Sequence, residues 1–282
     1  MFGATSQIGH FLLPRLRRHG VEVTALSRNA PAPADPGVRW MRGRLPDAVP
    51  PLPPLDGIVG LGPLDGLAGW LAALATRPAP VVVATSSMSA VSKIDSPFPE
   101  DRALARGLRR NEERLQHECA RLGMAWTLIR PTLIYGAGLD HSLSPIARRA
   151  TRSRLFPLPR THGLRQPVHA DDVADAAWRA LDNDDARGRV FELGGGERLG
   201  SGEMFARVRA SLPVATLPLP LGATALGLLS RLLPQSRGPV RRLRQDLVAD
   251  NAGIESVLGL RPRGFSPDAG CWGLAPRRGG AG

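Results

Sequence analysis

A chain of 282 residues with 43% hydrophobic and 22% charged residues can bury a full core, which excludes collagen-like, disordered and disulfide-stapled classes. Its formal charge is +12, and Lys93 is its single lysine, so the rest of its 37 basic residues are arginines. The two cysteines, Cys119 and Cys271, match no metal or redox spacing, so a reduced, cytoplasmic setting without a metal is expected.

Met1–Phe2 reads as the stub of a first strand. Central strands run about five or six residues, so the natural reading frame is expected to begin a few residues upstream. Gly3-Ala4-Thr5-Ser6-Gln7-Ile8-Gly9 follows as a tight glycine-rich turn, with Ser6 where a dinucleotide fingerprint has its middle glycine. Such a turn lets backbone N–H groups reach a pyrophosphate, and the helix behind it adds partial positive charge. Ile8, Phe11, Leu12 and Leu16 recur at helical spacing and predict a helix over residues 8–18. Strands are predicted at Val21–Leu26, Val38–Met41, Ile58–Leu61, Val81–Thr85 and Ala125–Ile129, with helices at Leu64–Ala75 and Arg102–Leu122. Strand and helix alternating at this spacing imply an α/β, doubly wound parallel sheet.

The segment from Asp140 to Pro167 is rich in arginine and proline and reads as a substrate-side excursion. A helix entered at Val168-His169-Ala170-Asp171-Asp172 ends near Leu181, with the two carboxylates expected to cap its start. Val190–Leu193 is a strand closed by Gly194-Gly195-Gly196, and a helix begins at Ser201. The remainder to Pro267 reads as a small, mostly helical lobe, and the tail from Pro276 as flexible. The apolar run Leu217–Leu233 contains Pro218, Pro220 and Arg231, which excludes a membrane span. Domain boundaries are expected at 1–139 for the core, 140–165 for the excursion, 166–196 for the returning core, 197–270 for the lobe and 271–282 for the tail.

Arginines cluster at Arg148, Arg149, Arg152 and Arg154, at Arg241, Arg242 and Arg244, and at Arg277 and Arg278. They fit a solvated surface, a clamp on an anionic small molecule, or a surface for nucleic acid or anionic lipid. Nucleic acid is disfavoured, because no aromatic residues interleave with them. Glu112 and Glu113 are expected to pair with arginines at helical spacing.

These residues resemble the extended and atypical short-chain dehydrogenase/reductase superfamily, in its NAD-dependent epimerase/dehydratase-like branch. Five segments carry the resemblance in order: Gly3–Gly9, Ser86-Ser87 after a buried strand, Arg130-Pro131-Thr132-Leu133-Ile134-Tyr135-Gly136, Pro167–Ala174, and Leu258-Gly259-Leu260-Arg261-Pro262. The resemblance implies a Rossmann fold with a small, mostly helical C-terminal substrate lobe. It implies cofactor contacts from Gly3, Thr5, Ser6, Gln7, Ile8, Gly9, Ser27, Arg28, Leu61, Gly62, Thr85, Ser86, Arg130, Pro131, Thr132 and Leu133. At the end of the second strand an acid suits NAD and an arginine suits NADP; Ser27-Arg28 there makes NADP the expected cofactor over NAD. The superfamily's Gly-Asp at the end of the third strand is Gly43-Arg44 here.

The superfamily's chemistry uses a tyrosine with a lysine four residues later, because a phenol of pKa about 10 is a poor base without a nearby cation. Aligning the acid of the long helix on Glu113 places Arg109 at the lysine and Ala105 at the tyrosine, and Tyr135 is the chain's single tyrosine. The usual pair is absent. Lys93, Ser87 and Tyr135 are the candidate catalytic groups, and His169 and Arg165 the candidate substrate contacts. The expected protein is an NAD(P)-binding oxidoreductase or nucleotide-sugar epimerase/dehydratase-like enzyme acting on an anionic or nucleotide-linked substrate. A non-catalytic dinucleotide-binding scaffold or regulator is the alternative, and a homodimer is left open.

Overall fold

In a computed structural model, which describes residues 1–29, 37–161, 163–222, 243 and 245–274, secondary structure alternates through the first half of the chain. It runs α1 (Gln7–Arg18), β1 (Val23–Ser27), β2 (Val38–Arg42), β3 (Ile58–Gly60), α2 (Leu64–Ala72), β4 (Val81–Thr85), α3 (Ser89–Ser92), α4 (Pro99–Leu122) and β5 (Ala125–Pro131). The second half runs β6 (Ile134–Tyr135), α5 (Leu143–Ser153), β7 (Leu155–Pro159), β8 (Leu164–Arg165), β9 (Val168–His169), α6 (Ala170–Leu181), β10 (Arg189–Leu193), β11 (Leu199–Gly200), α7 (Ser201–Ala210), β12 (Leu217–Leu221) and α8 (Ala252–Leu258). The arginines at 241, 242, 244, 277 and 278 and the tail from Pro276 lie outside the described residues.

One residue completes the central sheet. Phe2 bridges Leu26 on one side and Gly60 on the other, both in parallel. Its N–H donates to the Val59 carbonyl at 2.8 Å, and its own carbonyl accepts from Leu61 at 2.9 Å. β1 pairs with β2 on one side; β3, β4, β5 and β10 follow on the other, every pair parallel. β4, Val-Val-Val-Ala-Thr, is buried along its whole length, as a strand covered on both faces must be. The chain leaves the Phe2 position first toward one edge of the sheet and then toward the other. That reversal makes the carboxyl end of the Phe2 strand a topological switch point, where open α/β sheets bind their ligands.

α1 starts because Ser6 is extended and its hydroxyl accepts from Gly9 N–H at 3.1 Å. Ile8, Leu12 and Leu16 bury one stripe of the helix, and Arg15, Arg17 and Arg18 in the last turn complement its dipole. Arg15 joins Asp171 at 2.6 Å and Asp175 at 3.1 Å on α6, so Asp171 is drawn into an ion pair across to α1.

Two compact units emerge: Met1–Pro131 with Asp171–Leu193 and Asp250–Arg261, and Thr132–Ala170 with Gly194–Ala249 and Pro262–Gly282. α8, expected in the lobe, belongs to the first unit, where Arg179 of α6 donates to the Leu258 carbonyl at 3.1 Å. The second unit has its own core, in which Tyr135, Phe156, Phe265 and Trp272 are fully buried. Trp272 also donates its indole N–H to the Ser211 hydroxyl at 2.7 Å.

The second unit differs from the sequence expectation in two places. Within the expected excursion, the Asp140 carboxylate accepts from the N–H groups of Ser142 at 2.8 Å, Leu143 at 2.6 Å and Ser144 at 3.1 Å, and so caps α5. Pro145 falls in the first helical turn, where a missing N–H costs nothing. The Leu-Pro-Leu-Pro-Leu of β12 also forms a strand, in parallel register with the Leu-Phe-Pro-Leu-Pro of β7. The N–H of Leu217 donates to Arg154 O at 2.8 Å, and that of Arg160 to Leu221 O at 3.0 Å. By alternation, all four prolines turn their N–H-less side away from the ladder, which is how a proline-rich strand survives.

Candidate functional site

The glycine turn is held by close approach. Gly3 has φ +79°, and a Cβ there would lie 2.9 Å from the Leu61 carbonyl carbon. A Cβ at Gly9 would lie 2.3 Å from the Ala4 carbonyl oxygen. Only glycine lets the Phe2 strand, the turn and α1 pack so closely. Ser6, at the fingerprint's middle glycine, spends its hydroxyl on capping α1. The N-terminus of α1 carries the positive end of the helix dipole, a fitting seat for a phosphate. Beside Leu61, a Cβ at Gly62 would meet nothing within 4 Å, so the end of β3 opens into free space. The cradle therefore fits a dinucleotide.

Glu112 organises the ends of β4 and β5. Ser86 Oγ donates to Glu112 Oε1 at 2.5 Å, and Arg130 Nε donates to the same oxygen at 2.9 Å. A second guanidinium nitrogen of Arg130 donates to Glu112 Oε2. Glu112 is 2% exposed, and its hydrogen bond holds the Arg130 guanidinium above its ordinary pKa. The expected i,i+4 pairing of this carboxylate is thus replaced by an inward one, and Glu113 is the exposed neighbour. Arg130 is consumed by the pair. Its position before Pro131, at the end of a buried strand, was the sequence signal that a carboxylate partner was needed.

Ser87 differs from Ser86. Its oxygen accepts from Ser89 N–H at 3.2 Å, and its own hydrogen has no acceptor among the described residues. Lys93 Nζ lies 2.6 Å from Asp101 Oδ1, with both side chains largely buried, and Ser96 donates to the other carboxylate oxygen at 3.2 Å. Thr85 Oγ1 reaches the Gly60 carbonyl at 3.4 Å.

The remaining candidates lie in the second unit. Thr132 donates its hydroxyl to the Gln166 carbonyl, and Leu133 accepts from Val168 N–H at 2.9 Å. Tyr135 is 1% exposed, edge-on to His169 at 5.1 Å and to Phe265 at 4.9 Å. Arg165 is buried and donates to the carbonyls of Leu164, at 2.9 Å, and Gln245, so it ties loops together. Among the described residues, no group of three His, Cys, Asp or Glu could hold a metal. No described helix is long and apolar enough to cross a membrane.

The model of the NAD dependent epimerase/dehydratase family matches residues 73–194, from the end of α2 through β4, α4, β5 and α6 to β10. The match covers less than half of the chain, and over that span the chain is similar to this family. Its fold is that of MoeE5 in complex with UDP-glucuronic acid and NAD, with a TM-score of 0.69 at 19% identity over 93% of this chain and 92% of that one. It is equally that of the Thermus thermophilus UDP-glucose 4-epimerase complex with NAD, with a TM-score of 0.69 at 17% identity over 96% of both chains. In sequence it is similar to a UDP-glucose 4-epimerase of Vibrio cholerae, 27% identical over 142 residues. That stretch is 49% of this chain and spans less than half, 42%, of the relative.

The expected preference for NADP is overturned, since the solved structures that share this fold hold NAD. Locally, Ser27 donates its hydroxyl to the Asn29 carbonyl at 2.8 Å, so that hydrogen is not offered to a phosphate. On α4 the buried acid is Glu112 rather than Glu113, and the residues four and eight positions before it are Leu108 and Leu104.

Proposed function

We propose that this chain is an NAD-binding, nucleotide-sugar epimerase/dehydratase-like oxidoreductase that works without the tyrosine–lysine pair. The observation carrying this reading is the Gly3–Gly9 turn pressed against Leu61 at the switch point, with open space at Gly62. The first-turn amides of α1 hold the pyrophosphate, and the end of β1 faces the adenosine ribose. NAD, when bound, supplies a nicotinamide that accepts and returns a hydride. Ser87 is the hydroxyl best placed to donate to a substrate oxygen, because its hydrogen is uncommitted, whereas Ser86 has given its own to Glu112. Lys93 would have to leave Asp101 before carrying a proton, and Tyr135 would have to act from within an aromatic core. The UDP-sugars named for MoeE5 and the epimerases support a nucleotide-linked substrate.

The test is incubation with NAD and UDP-glucose or UDP-glucuronic acid, following nicotinamide absorbance and sugar products. Ser87→Ala is expected to keep NAD binding and lose turnover, and unchanged turnover refutes the role of Ser87. Leu104 and Leu108 favour a second reading, since neither transfers a proton. Tight NAD binding with no redox change or product across such substrates identifies a binding subunit instead.

A further inference from the structure

The arginine cluster of α5 takes no part in the proposed reaction. Residues 141–170 carry Arg148, Arg149, Arg152, Arg154, Arg160 and Arg165 and not one Asp or Glu. Arg149, Arg152, Arg154 and Arg160 are exposed. Arg154 ends α5 and leads directly into β7, whose first residue, Leu155, is 46% exposed. Opposite it in register is Leu217 of β12, 67% exposed, followed two residues on by Leu219, 44% exposed. Arginine stands at both ends of this ribbon. The carbonyl of Arg154 takes the Leu217 N–H at 2.8 Å, and Arg160 donates its N–H to Leu221 at 3.0 Å.

Three bulky apolar side chains in one patch ask for a cover. A second copy adding a strand is disfavoured, because Pro218 and Pro220 present the outer edge of β12 and offer no N–H. A nucleic-acid backbone would satisfy the arginines and leave the leucines with nothing to gain. The surface that satisfies both is an anionic bilayer, with phosphates for the arginines and an acyl boundary for the leucines. The sequence beyond Gly222 keeps the same character: leucines with Arg231, Arg237, Arg241 and Arg242, and no acid before Asp246.

We propose that the β7–β12 ribbon docks this protein on anionic phospholipid surfaces, with Leu155, Leu217 and Leu219 inserted and Arg152, Arg154 and Arg160 on the headgroups. Flotation with phosphatidylcholine vesicles, with and without phosphatidylglycerol, tests this on the full chain. Capture by the anionic vesicles alone is expected. Leu155→Ser, Leu217→Ser and Leu219→Ser combined should weaken capture at least about tenfold. Arg152→Ala, Arg154→Ala and Arg160→Ala should cost roughly fivefold each, as should raised salt in aggregate. All these positions are exposed, so the variants should melt with the parent in circular dichroism. No capture by anionic vesicles overturns the proposal, as does capture that falls with salt but ignores the leucines. DNA or RNA binding in place of vesicle binding reassigns the arginines to nucleic acid. A dimer dispersed by the three serines, with vesicle capture unaltered, reassigns the leucines to a second copy.

Discussion

Arg130 grips Glu112 through two guanidinium nitrogens, and the same carboxylate takes the Ser86 hydroxyl at 2.5 Å. The pair fastens α4 to the ends of β4 and β5, and it decides which of two neighbouring serines keeps a free proton.

Glu112→Ala leaves the Arg130 guanidinium, 18% exposed, without its counter-charge. Breaking a buried pair on one side costs about 3–5 kcal/mol, so the urea midpoint should fall accordingly. Glu112→Gln should fall by less, because the amide oxygen still accepts a hydrogen bond. A midpoint equal to the parent's in both variants would contradict the pair's structural role.

The glycines of the cradle should separate by cause. Gly9→Ala puts a methyl 2.3 Å from a backbone oxygen and should cost about 1–3 kcal/mol while abolishing NAD binding. Gly62→Ala, with nothing within 4 Å, should melt as the parent and weaken NAD binding alone. Thermal melts and nicotinamide fluorescence distinguish the two effects.

Gln166 is a knot of the second unit. Its amide donates to the Gly195 carbonyl at 2.8 Å and accepts from Ala249 N–H at 2.9 Å. Gln166→Leu removes both hydrogen bonds and strands the buried Ala249 N–H, at about 1–3 kcal/mol, and should lower the melting temperature clearly. A melt within error of the parent would show that those groups find other partners.

Burial pushes the Cys119 thiol up to about 12 and the Cys271 thiol up to about 11. Both should stay protonated at neutral pH and resist iodoacetamide until the chain unfolds. In the unfolded chain these thiols ionise near the ordinary value of 9.0, so it binds fewer protons than the native state above that pH. Stability contributed by the protonated thiols is thus complete below pH 9 and declines as pH rises from 9 toward 11–12. Cys119→Ala with Cys271→Ala should flatten that decline, which alkaline urea titrations read directly.

Much of the first unit was legible because its signals are local. An unbroken apolar run such as Val81–Ala84 reads as a covered parallel strand, and the spacing of Ile8, Leu12 and Leu16 reads as one buried face. What failed depended on partners distant in sequence or on backbone direction. Glu112 and Glu113 are adjacent letters, and only Arg130 on β5 shows which one turns inward. Ser27 looks like a phosphate ligand until its hydroxyl is seen on Asn29 O. β12 is hidden because prolines usually break strands, and only its pairing with β7 turns them to the harmless side. Arg165 reads from sequence as a contact for an anionic substrate, and only the fold shows its bonds to the Leu164 and Gln245 carbonyls.

Titration of the protein with NADH, in parallel with NADPH, followed by nicotinamide fluorescence, tests the dinucleotide cradle most directly. Saturable NADH binding, tighter than NADPH and lost in Gly9→Ala, is the predicted result. Binding of neither nucleotide below millimolar concentrations, or equal binding by parent and Gly9→Ala, would contradict it.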